Sequence, residues 1–152
     1  MPTPPIQPIN GPGGSSLTFS GVTTTFRKMS SSRQDYWIIT PVGWNGETST
    51  PSVLPLVVFL HGFSAPFANL NTPAGYASWV ERIARQGNVV VFPKYQEGFD
   101  LSSSKWTPNA LASLKDALSK PWPSIQASES SMMLVGHSAG CLVAANLAHS
   151  WF

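Results

Sequence analysis

Gly136-His137-Ser138-Ala139-Gly140 is the most informative segment of this chain. The apolar run at residues 132–135 comes directly before it, and a helical pattern that starts at residues 141–144 comes directly after it. Apolar runs of this kind are typical of buried strands, and small residues at a strand end let the chain turn sharply into a helix. The pattern therefore predicts a tight strand-to-helix turn with Ser138 at its apex.

The composition is that of one domain of ordinary size with few charges. The chain has 152 residues, a formal net charge of +2 and a charged fraction of only 11%, against about 25% in an average soluble domain. So small a net charge argues against nucleic acid or an anionic membrane surface as a partner. Cys141 is the only cysteine, which excludes an internal disulfide and leaves the compartment undecided.

Residues 1–16 are rich in proline, glycine and serine, and we predict a disordered, partly polyproline-like tail there. The tail has no lysine or arginine and no continuous apolar stretch, so it does not resemble a secretory signal, and the cytoplasm is the default expectation. The longest apolar run, residues 53–60, contains Pro55 and is too short to span a bilayer. We expect the folded domain over residues 17–152.

Strand and helix patterns alternate along this domain. Threonine–proline pairs predict helix starts at Thr72-Pro73 and Thr107-Pro108, and Gly87 ends the first of these helices. Strands that alternate with helices after an initial strand pair predict an α/β fold with a mostly parallel sheet. The predicted strands span residues 17–26, 35–40, 54–60, 88–92 and 131–135. The predicted buried helix faces contain Tyr76, Trp79, Val80 and Ile83 in the first helix and Leu111, Leu114 and Leu118 in the second.

A serine raised on such a turn is suited to nucleophilic attack. A serine hydroxyl is a weak nucleophile unless it is exposed beside a base, so the turn must be tight. Gly136 and Gly140 flank Ser138 where side chains would collide across the turn, and Ala139 is small enough to follow the serine. Three fixed residues also occur together by chance, but the strand before and the helix after favour a nucleophile elbow.

His61-Gly62-Phe63 follows directly from the strand predicted at residues 54–60. Acyl transfer by a serine needs two backbone N–H groups directed at the oxygen that becomes negative. We predict that Ala139 supplies one of these donors and Phe63 the other. Histidine–glycine after a strand is also an ordinary turn sequence, and its pairing with the elbow favours an oxyanion loop.

Residues 55–63, 89–93 and 136–140 together resemble the α/β-hydrolase family, and most closely its bacterial esterase, lipase and platelet-activating-factor-acetylhydrolase-like members. The resemblance covers residues 17–152 and the N-terminal half of the family domain. It implies a three-layer sandwich whose sheet has the order 1-2-4-3-5-6-7-8, of which this chain supplies the first five strands and ends after the elbow helix. It also implies Ser138 as nucleophile, with the amides of Phe63 and Ala139 as oxyanion donors.

The base that would activate Ser138 is missing from the expected place. The family's acid and histidine follow the nucleophile in chain order, and no Asp or Glu follows Ser138 here. His149 lies eleven residues along the next helix, about 16 Å away at 1.5 Å per residue. His137 is expected to pack or hydrogen-bond beneath the turn. His61 is expected to hold the oxyanion loop in shape, and a role as a makeshift base stays open.

Other polar residues have ordinary explanations beside functional ones. Asp100 and Glu97 follow the strand predicted at residues 88–92, where they either line a substrate pocket or are simply solvated. Tyr95 is either a pocket wall or an ordinary loop aromatic, and Cys141 is expected in the core. Because no residues have metal-ligand spacing and no glycine motif suits a phosphate, we expect neither a metal nor a cofactor.

Two interpretations of function follow. In the first, the chain is the front half of a serine carboxylesterase or lipase-type hydrolase that forms an acyl-enzyme on Ser138 from a small-molecule or lipid ester. The catalytic acid and histidine then lie beyond Phe152, and the chain alone is nearly inactive. In the second, it is a truncated, non-catalytic remnant that binds a ligand or partner. In both, the apolar strand at residues 132–135 is an exposed sheet edge that favours self-association.

Overall fold

The computed structural model describes residues 17–44, 52–65, 69–120, 122 and 125–151. The tail predicted at residues 1–16 lies outside this described part. The strands are β1 (Phe19–Arg27), β2 (Tyr36–Trp44), β3 (Val53–Leu60), β4 (Val89–Pro93) and β5 (Gln126–Gly136). The α-helices are α1 (Ala77–Arg85), α2 (Ser103–Ser119) and α3 (Ala139–Trp151), with short 3-10 turns at Ser32–Gln34 and Pro73–Tyr76.

The five strands form one sheet in the order β1-β2-β4-β3-β5, which is the order expected of them. The pairs β4–β3 and β3–β5 are parallel, whereas β1–β2 and β2–β4 are antiparallel. The sheet is therefore mixed, with two parallel and two antiparallel strand pairs, and the predicted α/β fold is confirmed. Only β2 runs against the other four strands, but it lies between β1 and β4 and so makes both of its pairs antiparallel.

Helices cover both faces of the sheet. The side chains of β3 therefore point alternately into two hydrophobic clusters, one on each face. Leu56, Val58 and Leu60 point into the cluster that contains buried residues of α2 and α3. Val57 and Phe59 point the other way, into the cluster that contains α1. This two-sided burial explains why β3 is a continuous apolar run in the sequence.

Two predictions about the helices are wrong. Helix α2 begins at Ser103, so Pro108 is its sixth residue and not its first. The proline removes only the bond to the Ser104 carbonyl, and the buried indole of Trp106 anchors the turn before it. Trp79, which is predicted on the buried face of the first helix, is 46% exposed. Its ring still meets that of Phe59 edge to face.

Strand β5 forms an edge of the sheet in the described structure. It pairs with β3 from Val53↔Gln126 to Leu60↔Gly136, with a register shift between Pro55 and Leu56, and the described residues place no strand on its other side. Met133 on this edge is 61% exposed. An exposed edge with unpaired backbone groups and apolar side chains is a template for pairing with a second chain.

We expect the 152-residue protein to self-associate through β5, because another strand is what satisfies its free backbone groups. Light scattering after size exclusion should show a mass that rises with concentration. Met133→Lys should abolish this rise, whereas Leu142→Lys, an equally drastic change at an exposed position of α3, should leave it. A wild-type monomer at every concentration, or equal effects of the two lysines, would contradict the prediction.

Candidate functional site

Ser138 occupies the apex of the connection between β5 and α3. The strand ends at Gly136 and the helix begins at Ala139, so His137 and Ser138 alone join them. Ser138 is exposed, and its backbone has a φ of +52°. Non-glycine residues rarely adopt this left-handed conformation, and when they do it is often at a functional site. The predicted strand-to-helix turn and its position are therefore confirmed.

Backbone hydrogen bonds close the turn on both sides of the serine. The His137 N–H donates to the Leu60 carbonyl over 3.0 Å, which attaches the turn to the end of β3. The Gly140 N–H donates to His137 and the Cys141 N–H to Ser138, at 2.8 and 3.0 Å. These bonds fix the conformation that exposes the serine.

Both glycines of the motif are required by close backbone contacts. A Cβ on Gly136 would lie 2.7 Å from the carbonyl oxygen of Gly140 and 2.8 Å from the Cα of Cys141. A Cβ on Gly140 would overlap the Leu60 carbonyl oxygen and lie 2.6 Å from that of His61. The first turn of α3 therefore packs directly on the backbone where β3 ends.

Among the described residues, the loop after β3 has one N–H without a partner between two that are bonded. The Gly62 N–H donates to the hydroxyl of Tyr76 over 2.8 Å, and the Ser64 N–H donates to Oε1 of Gln96 over 2.9 Å. None of the hydrogen bonds among the described residues uses the N–H of Phe63 between them. The residue predicted as an oxyanion donor is thus the one with an unused donor.

The N–H of Ala139 is unused for a different reason. Ala139 is the first residue of α3, and the first N–H groups of a helix have no partner within the helix. The positive end of the helix dipole adds to their attraction for a negative oxygen. Because Gly140 contacts the backbone of Leu60 and His61, this helix start adjoins the loop that carries Phe63.

His137 is exposed and not covered by the turn, but it forms the hydrogen bond that was expected of it. Its Nδ1 is 2.9 Å from the hydroxyl of Tyr76, and the two rings meet edge to face. The Tyr76 oxygen accepts from Gly62, so its own proton is available to Nδ1. A Cβ on Gly62 would lie 2.8 Å from that Nδ1. Sequence reasoning found Tyr76 only as a buried helix residue, because nothing local marks its hydroxyl.

His61 is fully buried and neutral. Its Nδ1 donates to the Gly62 carbonyl over 2.6 Å, and its ring stacks at 4.1 Å on Tyr95 and at 5.7 Å on Phe92. Nε2 is enclosed without a partner among the described residues. Burial lowers the pKa of this imidazole to about 4. The geometry favours the role of holding the loop in shape over that of a base.

The loop after β4 braces the loop after β3. Gln96 is fully buried, and its Nε2 donates to the carbonyls of Ser64 at 3.1 Å and Gly98 at 2.6 Å. The hydroxyl of Tyr95 donates to the His61 carbonyl, and burial raises the pKa of that hydroxyl. Tyr95 therefore packs beneath the loop. Gln96 gave no sequence signal, because a glutamine in a loop is normally solvated.

The two loop carboxylates are engaged in local contacts. Asp100 pairs with Arg33 at 3.2 Å and accepts the Ser102 N–H at 2.9 Å, and this N–H holds the pKa of the carboxyl below its usual value. Glu97 pairs with Lys94 at 2.8 Å, which lowers the pKa of Glu97. Glu97 also borders a cavity of about 270 Å³. The other lining residues are Ser64, Ala65, Asn69, Asn71 and Gly98.

Cys141 is exposed, and its predicted place in the core is wrong. The buried residues of α3 are Gly140, Val143 and Leu147, which recur at helical spacing on one face. Cys141 follows Gly140 and lies off that face. Its thiol contacts the Gly136 carbonyl at 3.2 Å.

None of the three histidines is hydrogen-bonded to the Ser138 hydroxyl in the described structure. His61 is enclosed, His137 bonds the Tyr76 hydroxyl, and His149 is exposed in the last turn of α3. The described residues also contain no group of three His, Cys, Asp or Glu side chains that could hold a metal ion. Among the described residues, Ser138 is thus exposed, near two N–H groups that have no hydrogen-bond partner, and no histidine is hydrogen-bonded to its hydroxyl.

Comparison with known proteins adds no relative. No protein-family model matches the sequence, and a search of curated proteins finds no significant match. Among the described residues, no helix combines the length and the apolar character needed to cross a membrane. A functional conclusion therefore depends on the geometry around Ser138 and on the motif resemblance.

Gly140→Ala should destabilise the protein by about 1–3 kcal/mol, because the new methyl group meets backbone that cannot move aside. This loss should exceed the gain of about 1 kcal/mol in helix propensity. Gly21→Ala is the control, since its Cβ would meet only Val42 at 3.5 Å, and should change stability by less than about 0.5 kcal/mol. Urea unfolding checks both, and equal midpoints would contradict the steric requirement.

Stability should fall as the pH is lowered from about 6.5 to about 4, the ordinary and folded-state pKa values of His61. In this window the unfolded chain binds a proton at this imidazole and the folded chain does not, which lowers the free energy of unfolding by up to about 3 kcal/mol. His61→Asn, whose amide can still donate to the Gly62 carbonyl, should show a shallower slope in urea unfolding across these pH values. Parallel slopes for the two proteins would be evidence against a buried, neutral His61.

Proposed function

We propose that this chain belongs to a serine carboxylesterase or lipase-type hydrolase of the α/β-hydrolase family, with Ser138 as its nucleophile. The observation that carries the proposal is the left-handed backbone of an exposed Ser138, on a turn whose two flanking glycines admit no side chain. Such strain at a serine persists only where the surroundings enforce it. The strand order and the helices on both sheet faces support the three-layer sandwich of that family.

The two unused N–H groups suit the chemistry of acyl transfer. When the Ser138 oxygen bonds to an ester carbonyl carbon, the carbonyl oxygen becomes negative and needs donors. The N–H groups of Phe63 and Ala139 are the candidates, and the start of α3 adds its positive end. The serine proton passes to a base and then to the departing alcohol, and water afterwards releases the acid from Ser138.

This mechanism needs an acid and a histidine that the described residues do not supply, because none of the described histidines is hydrogen-bonded to Ser138. The substrate class proposed is a small-molecule or lipid ester. A non-catalytic protein that binds a ligand or partner is the alternative, and the absence of a base among the described residues is the observation in its favour.

The test is covalent labelling of the full-length gene product with a fluorophosphonate, read by mass spectrometry. We expect one adduct, on Ser138, and hydrolysis of a short-chain nitrophenyl ester that falls at least about 10³-fold in Ser138→Ala. Ser150→Ala removes an exposed serine within α3 and should label normally. A folded full-length protein without an adduct on Ser138 would favour the non-catalytic alternative.

A further inference from the structure

The hydroxyl of Tyr76 connects the two segments that carry the unused N–H groups. It accepts the Gly62 N–H, one residue before Phe63, over 2.8 Å. It also lies 2.9 Å from Nδ1 of His137, two residues before Ala139. Tyr76 itself belongs to neither segment, because it ends the 3-10 turn before α1.

The loop that carries Phe63 is also held from its other side. The Ser64 N–H bonds to the buried Gln96, and the ring of Phe63 lies 6.2 Å from Trp106 of α2. The Gly62 N–H bonds to Tyr76, whereas the carbonyls of His61 and Gly62 accept from Tyr95 and from the His61 ring. Loss of the Tyr76 oxygen would therefore leave the loop bonded within its own surroundings and would remove the side-chain link between the loop and His137 of the elbow.

We propose that Tyr76 is a positioning residue, which sets the spacing of the Phe63 and Ala139 donors by bonding the oxyanion loop and the elbow at once. The inference rests on the proposed function and deepens it. Donors act on a transition state only when they are held in place before the reaction, and a displacement of about 1 Å can cost about 10²-fold in rate.

Packing alone is the competing explanation for a tyrosine at this position. The Tyr76 ring lies 5.0 Å from Phe59 and 6.0 Å from Phe92, so it also fills the core. Tyr76→Phe keeps the ring and removes only the oxygen, which separates the two roles. Tyr36→Phe is the matched control, because Tyr36 is another buried tyrosine whose hydroxyl bonds a side chain, Asp116, at 2.7 Å.

The first measurement is independent of catalysis. Long-range ¹H–¹⁵N NMR of the imidazole of His137 should show Nδ1 as an acceptor and Nε2 protonated when the ring is neutral. Tyr76→Phe should shift the Nδ1 resonance and mix the two tautomers, whereas Tyr36→Phe should leave both unchanged. A His137 spectrum unaffected by Tyr76→Phe would overturn the proposal that the Tyr76 hydroxyl bonds the loop and the elbow at once.

The second measurement compares kcat with KM for nitrophenyl ester hydrolysis by the full-length gene product. We expect Tyr76→Phe to lower kcat about 10–100-fold with KM within about twofold, and Tyr36→Phe to leave kcat unchanged. A kcat equal to that of the wild type, or an equal fall in both variants, would overturn the positioning role alone. Absence of turnover and of a Ser138 adduct in the wild type would overturn the proposed function, and the positioning role with it.

Discussion

The site depends on a close approach between two stretches of backbone, the first turn of α3 and the end of β3. Gly140 lies so near the carbonyl oxygens of Leu60 and His61 that no side chain fits between them. Because β3 and β5 are parallel neighbours, the loop after one and the turn after the other leave the sheet at the same end, where both strands have their carboxyl termini. The contact then brings Phe63 and Ala139 into one neighbourhood, with Ser138 exposed between strand and helix.

Buried polar groups stabilise this arrangement from below. A buried polar group costs free energy unless it is hydrogen-bonded, so the hydroxyl of Tyr76, the amide of Gln96 and the hydroxyl of Tyr95 each require their partners. Their hydrogen bonds restrict the conformations of the loop after β3, and networks of this kind favour a single arrangement. His61 contributes as a neutral ring, because its burial disfavours the charged form.

Much of the fold could be predicted because its signals are local. Continuous apolar runs identified β3 and β4, and the glycines around Ser138 identified the turn. Predictions went wrong where a tertiary contact competes with a local signal. Helix α2 begins before Pro108, a residue typical of a first turn, and the turn before this proline contains the buried Trp106. Cys141 is exposed because the buried face of α3 is set by Gly140 and its contact with β3.

The order of strands and helices along the chain and the residue at the apex of the turn follow from local sequence, since sterics and periodicity act over a few neighbouring residues. The polar groups that support the turn are brought together by long-range folding. The bond from Gly62 to Tyr76 joins residues 14 positions apart, and the contact of Tyr76 with His137 joins residues 61 positions apart. Such partners meet only after the sheet has formed, because its strand order sets which loops lie side by side.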